Sequence, residues 1–324
     1  MATMQQNNGN WDSDKTIDLF ADLLEGTYVP PKVILYLGLI CNLKCPYCYL
    51  PYKVKMCDEL QTQIILNKLK DLGAKKLEIL GGEPFIYRSK LIDIVKFAKE
   101  NGIDIDSIST NGLIFDESVI AAIKTTGIGT FQISLDCATS KTYQIVRAGS
   151  ESNFHKVKEN ISKFVKCGLP VRLSFVLLKP NVAEIKQFME LADSFKIKKV
   201  NFGTFSPVGE GKGVWKWMLS QSELNKVSAE IEALKLEYRH IDVVFNSMNE
   251  YKGDLCEAGT SEIAIFPNGD LYPCGLFTGL PNQKIGNIMS KVDSAKLKSI
   301  FKMETTNATN YYDRCIACKI SVGD

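Results

Sequence analysis

Three cysteines, Cys41, Cys45 and Cys48, stand in the run Cys-Asn-Leu-Lys-Cys-Pro-Tyr-Cys directly after an apolar stretch at 33–40. Thiolates at that spacing can hold three irons of a cubane 4Fe-4S cluster, which leaves the fourth iron an open coordination position where chemistry can take place. A zinc knuckle would need a fourth Cys or His close by, and no histidine precedes His155. A second group follows far downstream: Cys256, Cys274, Cys315 and Cys318. On ligand chemistry alone these four thiolates suit a structural zinc ion as well as a second cluster. Cys57, Cys137 and Cys167 stand apart from both groups.

Other residues able to do chemistry fall at the ends of strand-like runs. Gly81-Gly82-Glu83-Pro84 offers glycines that permit close backbone approach by a ligand and a carboxylate that can accept from an ammonium group. Ser109-Thr110-Asn111-Gly112 and Ser134-Leu135-Asp136 follow, with Arg147 downstream. In an α/β barrel, loops after strands build the active face, so these groups converge on one rim.

The elements that must position them are legible from pattern. Short apolar runs at 33–40, 76–80, 104–109, 130–135, 171–178 and 199–204 read as six parallel strands buried on both faces. Amphipathic helices separate them, with apolar faces formed by Leu60, Ile64, Ile65, Leu69 and Leu72 in one and by Phe154, Val157, Ile161, Phe164 and Val165 in another. Gly73, Gly102, Gly127 and Gly168 mark helix ends. A glycine-rich loop carrying Gly209, Gly211, Gly213, Trp215 and Trp217 is expected to be a mobile lid, and a helix is expected from about 222 to 238. The segment 262–273 reads as a hairpin around Asn268-Gly269, opening a small separate module. Residues 16–24 read as a short amphipathic helix.

Composition sets the outer limits. The chain has 324 residues, 45% of them hydrophobic, enough for a sizeable core. A formal charge of +2 lacks the basic excess of a nucleic-acid binder. Apolar runs fall well short of the ~20 residues a membrane helix needs, and the polar opening residues carry no secretory signal. A cytoplasmic protein without nucleic-acid or membrane partners is expected. Ten cysteines in such a compartment point to metal ligation before disulfides.

Taken in order from about 33 to 205, these motifs resemble the radical S-adenosylmethionine superfamily. The resemblance implies a partial (β/α)6, TIM-like barrel in which Cys41, Cys45 and Cys48 bind a cluster while S-adenosylmethionine chelates the fourth iron through its amine and carboxylate. It further implies that Tyr47 contacts adenine, that Gly82 and Glu83 hold the methionine amine, and that Asn111 and Ser134 face the ribose. By the same resemblance Arg147 lies near the methionine moiety and Phe205 lines the adenine pocket. A one-electron reductant such as flavodoxin or ferredoxin would feed the cluster, and the cleaved nucleotide would yield a 5′-deoxyadenosyl radical that takes hydrogen from substrate.

From about 255 to 318 the order Cys256, Gly269, Cys274, Gly286-Asn287-Ile288, Cys315, Cys318 resembles the twitch domain, a shortened SPASM domain. This implies an auxiliary 4Fe-4S cluster on the four cysteines, able to accept an electron left after hydrogen abstraction. The expected division is an extension at 1–30, a barrel at 31–240 and a twitch domain at 241–324. With some thirty residues before the first strand, no fused leader-reading module is expected, so a peptide substrate would use a separate recognition protein or bind directly.

The resulting expectation is a radical enzyme that oxidatively modifies a ribosomally made peptide by cross-linking, cyclisation or dehydrogenation. Dehydrogenation or rearrangement of a small metabolite, such as an amino sugar or nucleotide, is the alternative, and a non-catalytic zinc or iron–sulfur scaffold is the third. Cys137 follows Asp136 at the rim where the family commonly has glycine, and could donate a hydrogen atom to a substrate radical. Cys57 and Cys167 read as packing residues, and His155 and His240 as structural or solvated. Glu210, Asp270 and Tyr272 are conceivable general bases between which the sequence does not choose.

Overall fold

The computed structural model describes residues 32–50, 59–71, 73–246, 262–272, 274–277, 284 and 286–289. Strand β1 (Lys32–Tyr36) is followed by α1 (Glu59–Asp71) and β2 (Lys76–Leu80), then α2 (Arg88–Glu100) and β3 (Asp104–Thr110), then α3 (Glu117–Thr126) and β4 (Thr130–Ser134). Two helices, α4 (Ser140–Val146) and α5 (Glu151–Lys166), lead to β5 (Val171–Leu177). After it come α6 (Ile185–Ser194), β6 (Lys199–Thr204), α7 (Gln221–Glu237) and β7 (Asp242–Asn246). Each strand pairs in parallel with the next, with Val33 opposite Leu77, Ile133 opposite Leu173 and Val200 opposite Val243. This is the α/β arrangement expected, and every loop after a strand opens on the same edge.

One strand more than the six expected joins this series. The run Asp242–Asn246 alternates a buried Val243 with an exposed Val244, a pattern that a search for strands buried on both faces passes over. The C-terminal hairpin, expected as a separate module, is hydrogen-bonded into the same sheet. Strand β8 (Glu262–Ile265) pairs in parallel with the free side of β1, and β9 (Asp270–Tyr272) and β10 (Gly286–Asn287) continue antiparallel, giving the order β10-β9-β8-β1-β2-β3-β4-β5-β6-β7. The division expected at 240/241 thus falls between β6 and a strand that extends its sheet. Lys32 ties three strands together with ion pairs to Glu78 and Glu262, each at 3.0 Å.

The core lies between sheet and helices. The expected faces of α1 and α5 are the ones buried: Ile65 and Leu69 in the first, Phe154, Val157, Ile161 and Phe164 in the second. Phe164 meets Phe85, Phe115 and Phe131 at ring-centroid distances of 6.1, 5.1 and 4.7 Å, which fastens α5 and the loop after β2 onto β4. Helix ends carry their own stops and starts. Gly168 adopts a φ of 77° after α5, and Ser220 with Glu223 forms a capping box at the start of α7. Residues 16–24 lie outside the described residues, as do Cys57, Cys256, Cys315 and Cys318.

Candidate active site

The loop after β1 carries Cys41, Cys45 and Cys48, and the loops after β2, β3 and β4 hold it in place. The chain's own backbone comes close at Gly81 and Gly82. A Cβ on Gly82 would lie 2.4 Å from the Ile40 carbonyl, and one on Gly81 would lie 2.7 Å from that of Gly38. Gly82 and Glu83 donate their N–H groups to the carbonyls of Gly38 and Ile40 at 2.8 and 2.9 Å, and the Tyr87 hydroxyl accepts from the Ile40 N–H at 2.7 Å. The glycine pair is thus the seat of the cysteine loop.

Glu83 adds a second set of contacts within the chain. It has no exposed surface, and its oxygens accept from the Phe85 N–H at 3.0 Å, the Thr110 hydroxyl at 2.7 Å and the Asn111 N–H at 2.7 Å. Burial pushes its pKa up, against the pull of these three donors. The side chain therefore braces β3 against the loop after β2, while the backbone beside it seats the cysteines. Asn111 carries the brace onward: its amide donates to Asn42 Oδ1 at 2.6 Å and lies 3.6 Å from the Cys41 sulfur.

A second support comes from the end of β4. Tyr47 donates its hydroxyl to Asp136 Oδ2 at 2.5 Å, and Arg147 Nη1 donates to both the Tyr47 hydroxyl at 2.7 Å and the same carboxylate oxygen at 2.8 Å. All three side chains are buried. The Cys45 thiol lies 3.6 Å from the Arg147 carbonyl, so this unit adjoins the cysteine loop. Phe205, buried after β6, meets the Tyr47 ring edge-on at a centroid distance of 6.4 Å. Ser134 is half-buried at the end of β4, paired with Ser174 of β5. Asp136 was only one of several rim polar groups in the sequence; that it joins Tyr47 to Arg147 is a contact between distant positions that no local pattern marks.

Three expectations change here. Cys137 has no exposed surface, and its thiol donates to the Leu135 carbonyl at 3.3 Å, so the side chain points into the core and presents no face to a substrate radical. The glycine-rich segment is not a free lid: Gly209–Trp217 forms a 3-10 stretch whose Gly211 N–H donates to the Cys48 carbonyl at 3.0 Å and whose Trp217 carbonyl accepts from Lys179 at 2.8 Å. Of the conceivable bases, Asp270 is engaged by Lys284 and Asn287, both at 2.9 Å, and Tyr272 is buried against Phe266. Cys167 caps α5, and His155 and His240 pair with Glu151 and Asp193 at the surface, as expected.

Of the second cysteine group only Cys274 is described. It packs on the small apolar cluster of Tyr36, Phe266 and Tyr272, which Cys48 and Tyr49 also touch. The Tyr36 and Tyr49 hydroxyls meet at 3.1 Å. The downstream motif is drawn to the hairpin as well, since Ile288 donates its N–H to the Gly269 carbonyl at 2.8 Å and Asn287 donates its amide to that of Asn268 at 2.9 Å.

The donor set fits an iron–sulfur cluster. Burial, the largest cause, pushes the pKa of Cys48 up to about 12, and the nearby thiols of Cys45 and Cys41 add to it. Near the thiols, buried Arg147 is ion-paired to Asp136 at 2.8 Å, and its Nε is a buried donor with no partner.

Comparison with known proteins agrees with this geometry. Residues 35–192 match the family model described as Radical SAM superfamily. A GTP 3′,8-cyclase of Clostridium botulinum is 26% identical over 274 residues, spanning 79% of this chain and 83% of the relative, and a probable GTP 3′,8-cyclase of Saccharolobus islandicus is 24% identical over 72% and 79%. Among solved structures, Streptococcus suis SuiB bound to precursor peptide SuiA superposes with a TM-score of 0.73 at 18% identity, covering 99% of this chain and 79% of that one. Native anSMEcpe with bound AdoMet gives 0.69 at 19% identity over 90% and 88%. At such identity these structures show a shared fold, the partial barrel. Among the described residues no helix is long and apolar enough to cross a membrane. Over residues 35–192 the chain is thus similar to the radical SAM superfamily, on the fold that those solved structures share.

Proposed function

We propose that this enzyme oxidatively modifies a ribosomally made peptide, forming a cross-link, a ring or a double bond. Cys41, Cys45 and Cys48 hold the cluster, and S-adenosylmethionine occupies the open iron beside Tyr47, Asn111, Ser134, Arg147 and Phe205. Together these groups supply, when bound, a one-electron cleavage that generates a radical able to take hydrogen from an unactivated carbon. The protein's own part is to fix the cysteine loop through Gly82 and Glu83, to hold Arg147 beside Cys45, and to keep water from the cleavage site with buried Phe205 and Tyr47. Cys256, Cys274, Cys315 and Cys318 hold an auxiliary 4Fe-4S cluster that receives the second electron, which makes an oxidative outcome natural. The reductant is a flavodoxin or ferredoxin, and peptide delivery uses a separate recognition protein or direct contact.

The observation that carries the peptide assignment is the fold match: two of the folds this chain superposes on were solved with a peptide bound, SuiB with SuiA and anSMEcpe with the Cp18Cys peptide. A second substrate class, a purine nucleotide, is favoured by the sequence relatives, which are GTP 3′,8-cyclases. One anaerobic assay separates the two. Reduced enzyme with S-adenosylmethionine is offered GTP in one arm and short peptides encoded beside its gene in the other. Peptide-dependent 5′-deoxyadenosine with a mass loss of hydrogen from the peptide supports the first class. GTP-dependent 5′-deoxyadenosine with a cyclised nucleotide overturns it in favour of the second.

A further inference from the structure

Asp136 occupies an unusual place. Its backbone is left-handed, with a φ of 61°, a conformation that costs a non-glycine residue and is kept only where surrounding contacts over-determine it. Every polar atom of its side chain is engaged. Oδ2 accepts from Tyr47 and Arg147, and Oδ1 accepts from the Val176 N–H of β5 at 2.7 Å. Its carbonyl accepts from Asn181 Nδ2 at 2.9 Å, and that amide also reaches the Val176 carbonyl at 2.8 Å. One residue thereby joins the ends of β4 and β5, the cysteine loop and the helix end that carries Arg147.

The consequence for Arg147 is specific. A guanidinium has five N–H donors in a rigid fork. Asp136 and Tyr47 take donors at Nη1, while Nε is buried with no protein partner. The cation is thus locked in orientation from one side and left with spare donors, on a residue whose backbone carbonyl lies 3.6 Å from the Cys45 sulfur. We propose that Asp136 is a positioning residue for the cluster end of the site: it fixes the orientation of Arg147 and Tyr47 before any cofactor arrives, and its negative charge cancels that of Arg147 so that the cluster at Cys45 sees a dipole and not a full positive charge. The electrostatic half of this statement rests on the cluster assignment above; the orientational half is a property of the apoprotein.

The test uses the full chain with Asp136→Asn, which keeps the size and removes the charge. In apoprotein labelled with 15N-arginine, the Arg147 Nε–H is expected to exchange with solvent at least tenfold faster in the variant than in wild type. After anaerobic reconstitution, iron and sulfide per chain are expected to be unchanged, since all cluster cysteines remain. The midpoint potential of the N-terminal cluster, measured without nucleotide, is expected to move in the positive direction, because an uncancelled cation favours the reduced form. A residue that served only to hold the fold would not move the potential in that direction while leaving cluster content intact. Unchanged exchange and unchanged potential in a folded Asp136→Asn protein would overturn the proposal. Faster exchange with an unmoved potential would overturn the electrostatic half alone. If Asp136→Asn does not fold, Tyr47→Phe removes one partner without changing charge. It should speed Arg147 exchange and leave the potential in place, and a variant with wild-type exchange would contradict the proposed locking.

Discussion

The guanidinium of Arg147 meets the carboxylate of Asp136 at 2.8 Å with both groups almost sealed from solvent. Removing one partner of such a pair leaves a buried charge without compensation, a loss of about 3–5 kcal/mol. Arg147→Ala is therefore expected to lower the unfolding free energy of the apoprotein by that amount, as equilibrium urea unfolding would measure. A loss below about 1 kcal/mol would mean that the pair is solvated in solution.

Glu83 gives a second quantity to measure. Glu83→Ala strips partners from the Thr110 hydroxyl and from two backbone N–H groups in a buried site. At about 1–3 kcal/mol for each unsatisfied buried donor, the variant should lose roughly 3 kcal/mol or more and bind less iron, because the seat of the cysteine loop goes with it. Thermal melting with iron determination checks both.

Gly82→Ala isolates that seat. The added methyl would press on the carbonyls of Leu39 and Ile40, and backbone cannot yield as a flexible side chain does. The variant is expected to fold with the core intact yet retain less than a tenth of wild-type iron and sulfide after reconstitution. Full cluster content in Gly82→Ala would show that the loop can shift without cost.

Asp116 predicts a pH dependence. It caps α3, and its carboxyl is held below the usual carboxylate range by the Ser118 side chain first, then by the Val119 N–H and the nearby Arg88. A carboxyl with a depressed folded pKa stabilises the protein above its unfolded pKa of about 3.9, and that stabilisation is lost as pH falls through the folded value. Asp116→Ala should cost about 1 kcal/mol at pH 7, and the gap to wild type should close in acid, below about pH 4. Denaturation series at pH 7 and in acid would show it.

How much of this was legible in the sequence follows from the range of the interactions. The strands and helix faces announced themselves because periodicity is local, as did the Cys41, Cys45 and Cys48 loop and the hairpin at Asn268-Gly269. The pairing of β8 with β1 was not legible, because a strand's partner is set by where the chain returns. The inward turn of Glu83 was hidden for a similar reason: its three donors sit at Phe85, Thr110 and Asn111, and only the first is near in sequence. Cys137 misled because its neighbour Asp136 lies at the rim, whereas the left-handed backbone there sends the next side chain into the core.

Spectroscopy of the reconstituted protein bears most directly on the whole account. Wild-type enzyme, prepared without oxygen and reduced, should show an EPR signal from a cluster on Cys41, Cys45 and Cys48 whose g-values change on adding S-adenosylmethionine, with 5′-deoxyadenosine released. Zinc without sulfide, or a cluster signal indifferent to the nucleotide, would contradict it.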